Sequence, residues 1–290
     1  MDKNILKQIV SSYGAQADYP DLAIEALVDE VGKLSEAALD FLNACLVKYQ
    51  DGEKISYAMQ QEFEKLSEIH CYPAQMLFYM AFLPDLEQKY KEKKLDFCFL
   101  ERVLFDLRAK LLECHTVYGI WGSFVAIWFA RFFNFTLYGI ERLEFAPFHA
   151  EFDYEGQGVS VKKGDFVIDV HIPSGAPLPY ESVLRSYRAA ARFFGGNVFV
   201  CESWMLYPAH REMLAECPNL MAFFQDYDVV ESAEDKGDLW RIFGAAHEES
   251  PENLPTDTKL RAVYAKRLCE GKPVGWGKGI FVFNEVSEHT

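Results

Sequence analysis

The sequence predicts an α+β (α/β) chain: a helical N-terminal domain over residues 1–140, then a mixed β-sheet flanked by helices over residues 141–290. Three observations carry this. From Leu22 to about Phe135, apolar residues recur every three or four positions, the period of a helix with one buried face. Beyond Phe135 the chain breaks into short β-branched and aromatic runs separated by glycine turns. Within that second half an apolar strand, a helix and another apolar strand follow one another, which implies a right-handed βαβ unit with its two strands parallel.

The elements follow in order. LAIEALVDEVGKLSEAALDFLNACL places Leu27, Val31, Leu34, Ala38 and Leu42 at helical spacing, and Asp21 after Pro20 is the expected cap. ISYAMQQEFEKLSEI reads as a second helix, YPAQMLFYMAFLPDLEQKYKEKK as a third broken near Pro84, and DFCFLERVLFDLRAKLLECHTVYG as a fourth. LYGIERLEFAPFHAEFDYE, GVSVKK and DFVIDVHIP read as strands, divided by turns at Gly156–Gly158 and Lys162–Asp165. The helix through RSYRAAARFF stops at Gly195-Gly196, and VFVCESW follows as a strand. YDVVES and DLWRIFGA read as a hairpin around EDKG, TDTKLRAVYAKRLCEG as a helix capped by Thr256 or Asp257, and KGIFVFNEV as the last strand.

Composition narrows the function. A formal charge of −15 over 290 residues argues against nonspecific nucleic-acid binding, which needs clustered Lys and Arg. Seven cysteines, with no CxxC or Cys/His grouping at metal spacing, read as free thiols in a reducing compartment and give no metal site. MDKNILKQIVSSYGAQADYP lacks the apolar core of a secretory signal, so the reading is cytoplasmic. The apolar run Gly119–Ala130 falls short of the roughly 20 residues a membrane span needs, and it reads as a buried central helix. The oligomeric state is not legible.

Polar groups gather where the βαβ unit turns. In VIDVHIPSGAPLPYESVLRSYRAAARFFGG, Val167, Asp169 and His171 share one strand face. Strand geometry sets Asp169 and His171 about 7 Å apart, too far for a direct hydrogen bond within one flat strand. His171 is a candidate base because an ordinary imidazole titrates near neutrality. Gly175 permits close backbone approach before the helix, and Arg185, Arg188 and Arg192 form a basic stripe along it. On the following strand Glu202 and Trp204 face one way, Cys201 and Ser203 the other, and ligands of parallel sheets lie off the carboxyl ends of such strands. Glu202, Ser203, Tyr207 and His171 are therefore expected in one crevice, with Cys201 as an alternative nucleophile. Neither GxGxxG nor GxxxxGK[ST] occurs; GWGKG at Gly275–Gly279 has the wrong spacing for a phosphate loop.

The order HIPSGAPL, RSYRAAARFF, VFVCESWMLYP, DLWRIFG, LPTDTKLRAVYAKRLCEG and a terminal strand resembles the GNAT-like C-terminal domain of bacterial acyltransferase-domain proteins. Residues 1 to about 140 resemble the helical N-acyltransferase N-terminal domain that precedes it in that group. The resemblance implies acyl-CoA or CoA as co-substrate, no metal, and direct acyl transfer to an amine acceptor. Both partners are small molecules, without nucleic acid or membrane. Phe166–Ile172 and Val198–Ser203 become the splayed strands. Ile172, Ser174, Gly175, Ala176, Arg185 and Arg188 become cofactor-binding residues, Glu202 or His171 the base, and Tyr207 the acid. The Gln/Arg-x-x-Gly-x-Gly/Ala signature is missing at this turn, and Pro173, Pro177 and Pro179 remove N–H donors there. That departure keeps a second reading in view, a non-catalytic ligand-sensing or interaction module on the same fold.

Overall fold

The computed structural model describes residues 1–284 and divides into two compact units, Met1–Tyr138 and the chain from Gly139 onward. The first unit is helical: α1 Lys3–Gln16, α2 Asp21–Lys33, α3 Glu36–Gln50, α4 Tyr57–Ser67, α5 Cys71–Ala81, α6 Leu83–Glu92 and α7 Phe97–Tyr118. α1 precedes the stretch where periodicity is read; Asp2 starts it by accepting from the N–H groups of Asn4 and Ile5. The long periodic run around Leu34 is two helices, because Ser35 caps α3 through the Ala38 N–H at 3.0 Å. Pro20, not Asp21, occupies the cap position of α2; Asp21 lies in the first turn, where its charge suits the helix dipole.

The expected buried helix at Gly119–Ala130 does not form. Gly119 takes a left-handed conformation at φ 70° and closes α7 with an N–H to the carbonyl of His115. The chain then runs irregularly to a 3-10 turn at Ala126–Phe129 and the short α8, Ala130–Phe133. Gly122 explains the detour: a Cβ there would stand 2.3 Å from the carbonyl carbon of Tyr72. Asn134 is structural, exchanging hydrogen bonds with both backbone groups of Ile55 at 2.9 and 2.8 Å. Among the described residues no helix is long and apolar enough to cross a membrane. The core is aromatic, with Phe78 between Phe63, Tyr79 and Phe82 at ring separations of 5.1–5.4 Å. The buried Tyr79 hydroxyl donates to the buried Gln60, so neither polar group is left unsatisfied.

The second unit contains β1 Tyr138–Ile140 (which begins at the boundary), β2 Leu143–His149, β3 Tyr154–Gly156, β4 Val159–Val161, β5 Phe166–His171, α9 Tyr180–Phe194 and β6 Val198–Ser203. After these come α10 Arg211–Leu214, α11 Pro218–Gln225, β7 Asp228–Glu234, α12 Leu239–Phe243, α13 Lys259–Cys269 and β8 Gly275–Val282. Six strands form one sheet in the order β1-β2-β5-β6-β8-β7, and β3–β4 is a separate hairpin. β5 and β6 are parallel, as the strand–helix–strand pattern predicts. β2 pairs with β5, and β8 with both β6 and β7, antiparallel.

Three local readings change. DLWRIFG is the helix α12, because Leu239, Ile242 and Phe243 bury one helical face; β7 finds its partner in β8 instead. Thr258, not Thr256 or Asp257, caps α13 by accepting from Arg261 N–H, and Asp257 pairs with the Arg261 guanidinium at 2.9 Å. The last strand begins earlier than expected, at Gly275, and Glu285 and Val286 lie outside the described residues.

One sheet face carries Phe145, Phe199 and Phe281, which enclose Tyr187 of α9 at ring separations of 4.9–6.3 Å. The glycines of GWGKG share that face. A Cβ at Gly277 would stand 2.1 Å from the Leu206 carbonyl oxygen, and one at Gly279 would stand 2.8 Å from Tyr227 Cβ. They admit the chain that leaves β6, so the glycines serve packing. The opposite face carries Val167, Val200 and Ile280, covered by Tyr154 and Val161 of the β3–β4 hairpin.

Candidate active site

The two edges of β6 are unlike. Toward β8 the ladder runs from Val198↔Val282 to Ser203↔Gly277. Toward β5 the parallel pairing covers only Ile168↔Phe199, Asp169↔Val200 and Val170↔Cys201, although β5 continues to His171 and β6 to Ser203. The two strands therefore part at their carboxyl ends, where the pattern of a parallel pair places a ligand.

At that level a row of ionisable side chains crosses the hairpin face. Glu144 of β2 lies opposite His171 of β5. Glu202 of β6 lies opposite Lys278 of β8, which lies opposite Glu231 of β7. Period-two alternation puts Asp169 and His171 on the face of Val167, and Glu202 on the face of Val200. Elsewhere these central strands are apolar on both faces, as buried parallel strands are.

His171 Nε2 stands 2.7 Å from Asp169 Oδ2, with both side chains about one-fifth exposed. The separation expected from strand geometry is that of the Cα atoms; the extended imidazole leans along the strand and spans it. Lys278 is 3.1 Å from Glu202 and 3.2 Å from Glu151, with its own side chain 15% exposed. Burial pulls its ammonium toward the neutral form, and the hydrogen bonds it donates to Glu202 and Glu151 more than offset this, so its pKa is raised and it remains charged. Glu202 is thus engaged by a cation, while half its side chain reaches solvent.

The other expected residues lie off this row. Ser203 faces α9 and its hydroxyl caps the next turn by accepting from Met205 N–H. Tyr207 is buried and packs edge-on against His210 at 5.0 Å. Cys201 is enclosed on the α9 side, and burial drives its thiol pKa far up, so it is no thiolate nucleophile.

The turn after β5 runs through Ile172, Pro173, Ser174, Gly175 and Ala176 to Pro179, which precedes α9 without a side-chain cap. Gly175 has φ 84°, a conformation that favours glycine. A residue the sequence reading passed over holds this turn. The guanidinium of Arg142, in the β1–β2 connection, donates to the carbonyl of Ala176 at 2.7 Å and of Pro177 at 2.8 Å. Its backbone N–H bonds the buried Ser186 of α9 at 2.9 Å. The basic stripe is spread along the helix instead. Arg185 bonds Ser182. Arg188 lies about 12 Å along the axis from Tyr180 at 1.5 Å per residue. With Arg192, Gly195 and Phe283 it lines a separate cleft at the far end of α9.

Comparison with known proteins supplies the context for this geometry. The sequence matches the GNAT-like C-terminal domain over residues 137–281 and the N-acyltransferase N-terminal domain over residues 16–135. No curated protein matches it. An acyltransferase solved in complex with decanoyl-CoA and teicoplanin superimposes with a TM-score of 0.71 at 17% identity, over 95% of this chain and 88% of that one. An acyltransferase mutant in complex with octanoyl-CoA gives the same figures: TM-score 0.71, 17% identity, 95% and 88% coverage. An acyltransferase in complex with decanoyl-CoA reaches 0.67 at 16% identity, over 98% of this chain and 100% of that one. At such identities the likeness is one of fold. The chain belongs to the family of the GNAT-like C-terminal domain, preceded here by an N-acyltransferase N-terminal domain.

Proposed function

We propose that the protein is an acyl-CoA-dependent N-acyltransferase that passes an acyl group directly to a small amine acceptor. The observation that carries this is the parting of β5 and β6 beyond Val170↔Cys201 with ionisable residues at the opening. An acyl-pantetheine arm fits such an opening because strand ends offer it backbone donors and acceptors. The acyl-CoA complexes of the structural neighbours support the same donor, with a medium-length chain. The turn at Ile172, Ser174, Gly175 and Ala176 then receives the pyrophosphate, and Arg142 supplies positive charge that the prolines do not.

The acceptor approaches an opening flanked by the carboxylates of Asp169 and Glu202, with the buried Glu144 opposite His171, which favours a cationic amine. In the transfer the bound ammonium first gives one proton to solvent; the neutral amine nitrogen then forms a bond to the thioester carbonyl carbon and the C–S bond breaks. His171 takes the proton from nitrogen and returns it to the departing thiolate. Glu202, tied to Lys278, holds the acceptor rather than deprotonating it. Tyr207 lies off the row and has no part in this scheme. Seven free thiols support a cytoplasmic setting.

Calorimetric titration with CoA and decanoyl-CoA comes first, followed by release of free thiol in the presence of primary amines. The reading requires saturable donor binding and amine-dependent thiol release that disappears in His171→Gln. Binding without turnover by any amine supports the ligand-sensing module instead, and no binding at millimolar CoA sinks the acyltransferase and leaves a module for another ligand.

A further inference from the structure

We infer that Asp169 is a positioning residue that holds the His171 ring by its Nε2 and fixes its orientation at the opening between β5 and β6, where the ring exchanges protons with the acceptor. This rests on the reading of His171 as the base. The 2.7 Å contact joins Asp169 Oδ2 to Nε2 specifically. A carboxylate at that distance accepts from an N–H, so Asp169 grips the imidazole through its Nε2 hydrogen.

The surroundings hold this arrangement in place. Asp169 sits in the last stretch of the closed ladder, between Ala146 of β2 and Val200 of β6. Its backbone is therefore fixed on both sides. His171 sits two residues further on, where the ladder toward β6 has ended and only β2 still pairs with β5. The anchored carboxylate and the ring at the opening lie on the same face. The contact passes orientation from the rigid part of the strand to the part that faces the cleft.

Glu144, the cross-strand partner of His171, and Glu202 at the same level across the opening are the other titratable groups on this face nearest the ring. Lys278 lies beyond Glu202 and is engaged by it.

Two measurements on the full chain test this, one independent of turnover. In ¹⁵N-labelled protein the His171 Nε2–H is expected as a low-field, exchange-protected proton, assigned by its loss in His171→Gln. Asp169→Asn should remove that signal. It should also lower kcat with decanoyl-CoA and an amine by about 100-fold or more, the range of general base catalysis. The KM for decanoyl-CoA should stay within about twofold, and Asp169→Glu should recover part of the rate. Unchanged CoA affinity and circular dichroism guard against a folding defect. An Asp169→Asn protein that keeps the signal, or that keeps kcat while His171→Gln loses it, overturns the inference. Loss of the signal together with wild-type turnover by His171→Gln supports Asp169's hold on the ring while refuting the base reading beneath it.

Discussion

The two edges of strand β6 separate what the second unit needs for stability from what it offers for function. On the β8 edge every position from Val198 to Ser203 is paired, and β8 presents glycines so closely packed that Leu206 and Tyr227 leave no room for a Cβ. On the β5 edge the pairing stops after Val170↔Cys201, and the next residues on that level are His171 and Glu202. A sheet that can close fully on one side and does not on the other marks the unclosed side as a place where something else pairs.

The largest expected effect lies on the closed edge. Gly277→Val sets a branched side chain against the backbone carbonyl of Leu206, where an added Cβ already stands 2.1 Å away. Backbone cannot yield as a flexible side chain can, so the variant should lose about 3 kcal/mol, at the upper end of overpacking costs. Urea unfolding followed by near-ultraviolet circular dichroism reads this. His171→Gln on the open edge should move the same transition by about 0.5 kcal/mol or less, as partly exposed substitutions do. Equal losses on both edges would erase the distinction drawn here.

A smaller effect concerns the turn that follows the open edge. Arg142 ties down two of its carbonyls and is the cation nearest to it, whereas Arg188 belongs to the cleft at the other end of α9. Arg142→Gln should weaken CoA about tenfold, the equivalent of one charge-assisted hydrogen bond. It should weaken dephospho-CoA equally and leave a pantetheine thioester unaffected. Arg188→Ala should change none of the three. Calorimetry that finds the reverse ranking would move the phosphates to the basic stripe.

Much of this was legible from sequence, and the rest shares one cause. The parallel pair, its helix, the glycine turn and His171 follow from period, punctuation and residue type within a single stretch of chain. The Lys278–Glu202 pair requires knowing that β8 lies beside β6, and the chain's own order places β7 between them. Arg142 reaches the turn from a connection far upstream. The Asp169–His171 contact failed for a different reason: Cα spacing along a strand says little about where two long side chains meet. DLWRIFG shows the remaining ambiguity, since its apolar positions fit a short helix as well as a strand, and only burial of Leu239, Ile242 and Phe243 together decides.

The smallest effect is a pH dependence at the junction of the two edges. Asp226, between α11 and β7 on the closed side, accepts from the hydroxyl of Tyr180, the first residue of α9, at 2.6 Å. Its other carboxylate oxygen is buried without a partner. Burial raises its pKa to about 6, and the Tyr180 hydrogen bond only partly opposes that. An unfolded aspartate titrates near 3.9, so between about pH 4 and 6 the folded chain binds the proton more tightly. Stability from this group is thus present at acid pH and falls as pH rises through 6. Asp226→Asn keeps an oxygen for Tyr180 and removes the buried charge. It should stabilise the protein by about 1–2 kcal/mol at pH 7.5, discounted for partial exposure, and converge on the wild type near pH 4. Unfolding midpoints at those two pH values decide it: a variant less stable at pH 7.5 would mean that the charged carboxylate, not the neutral acid, holds the start of α9 in place.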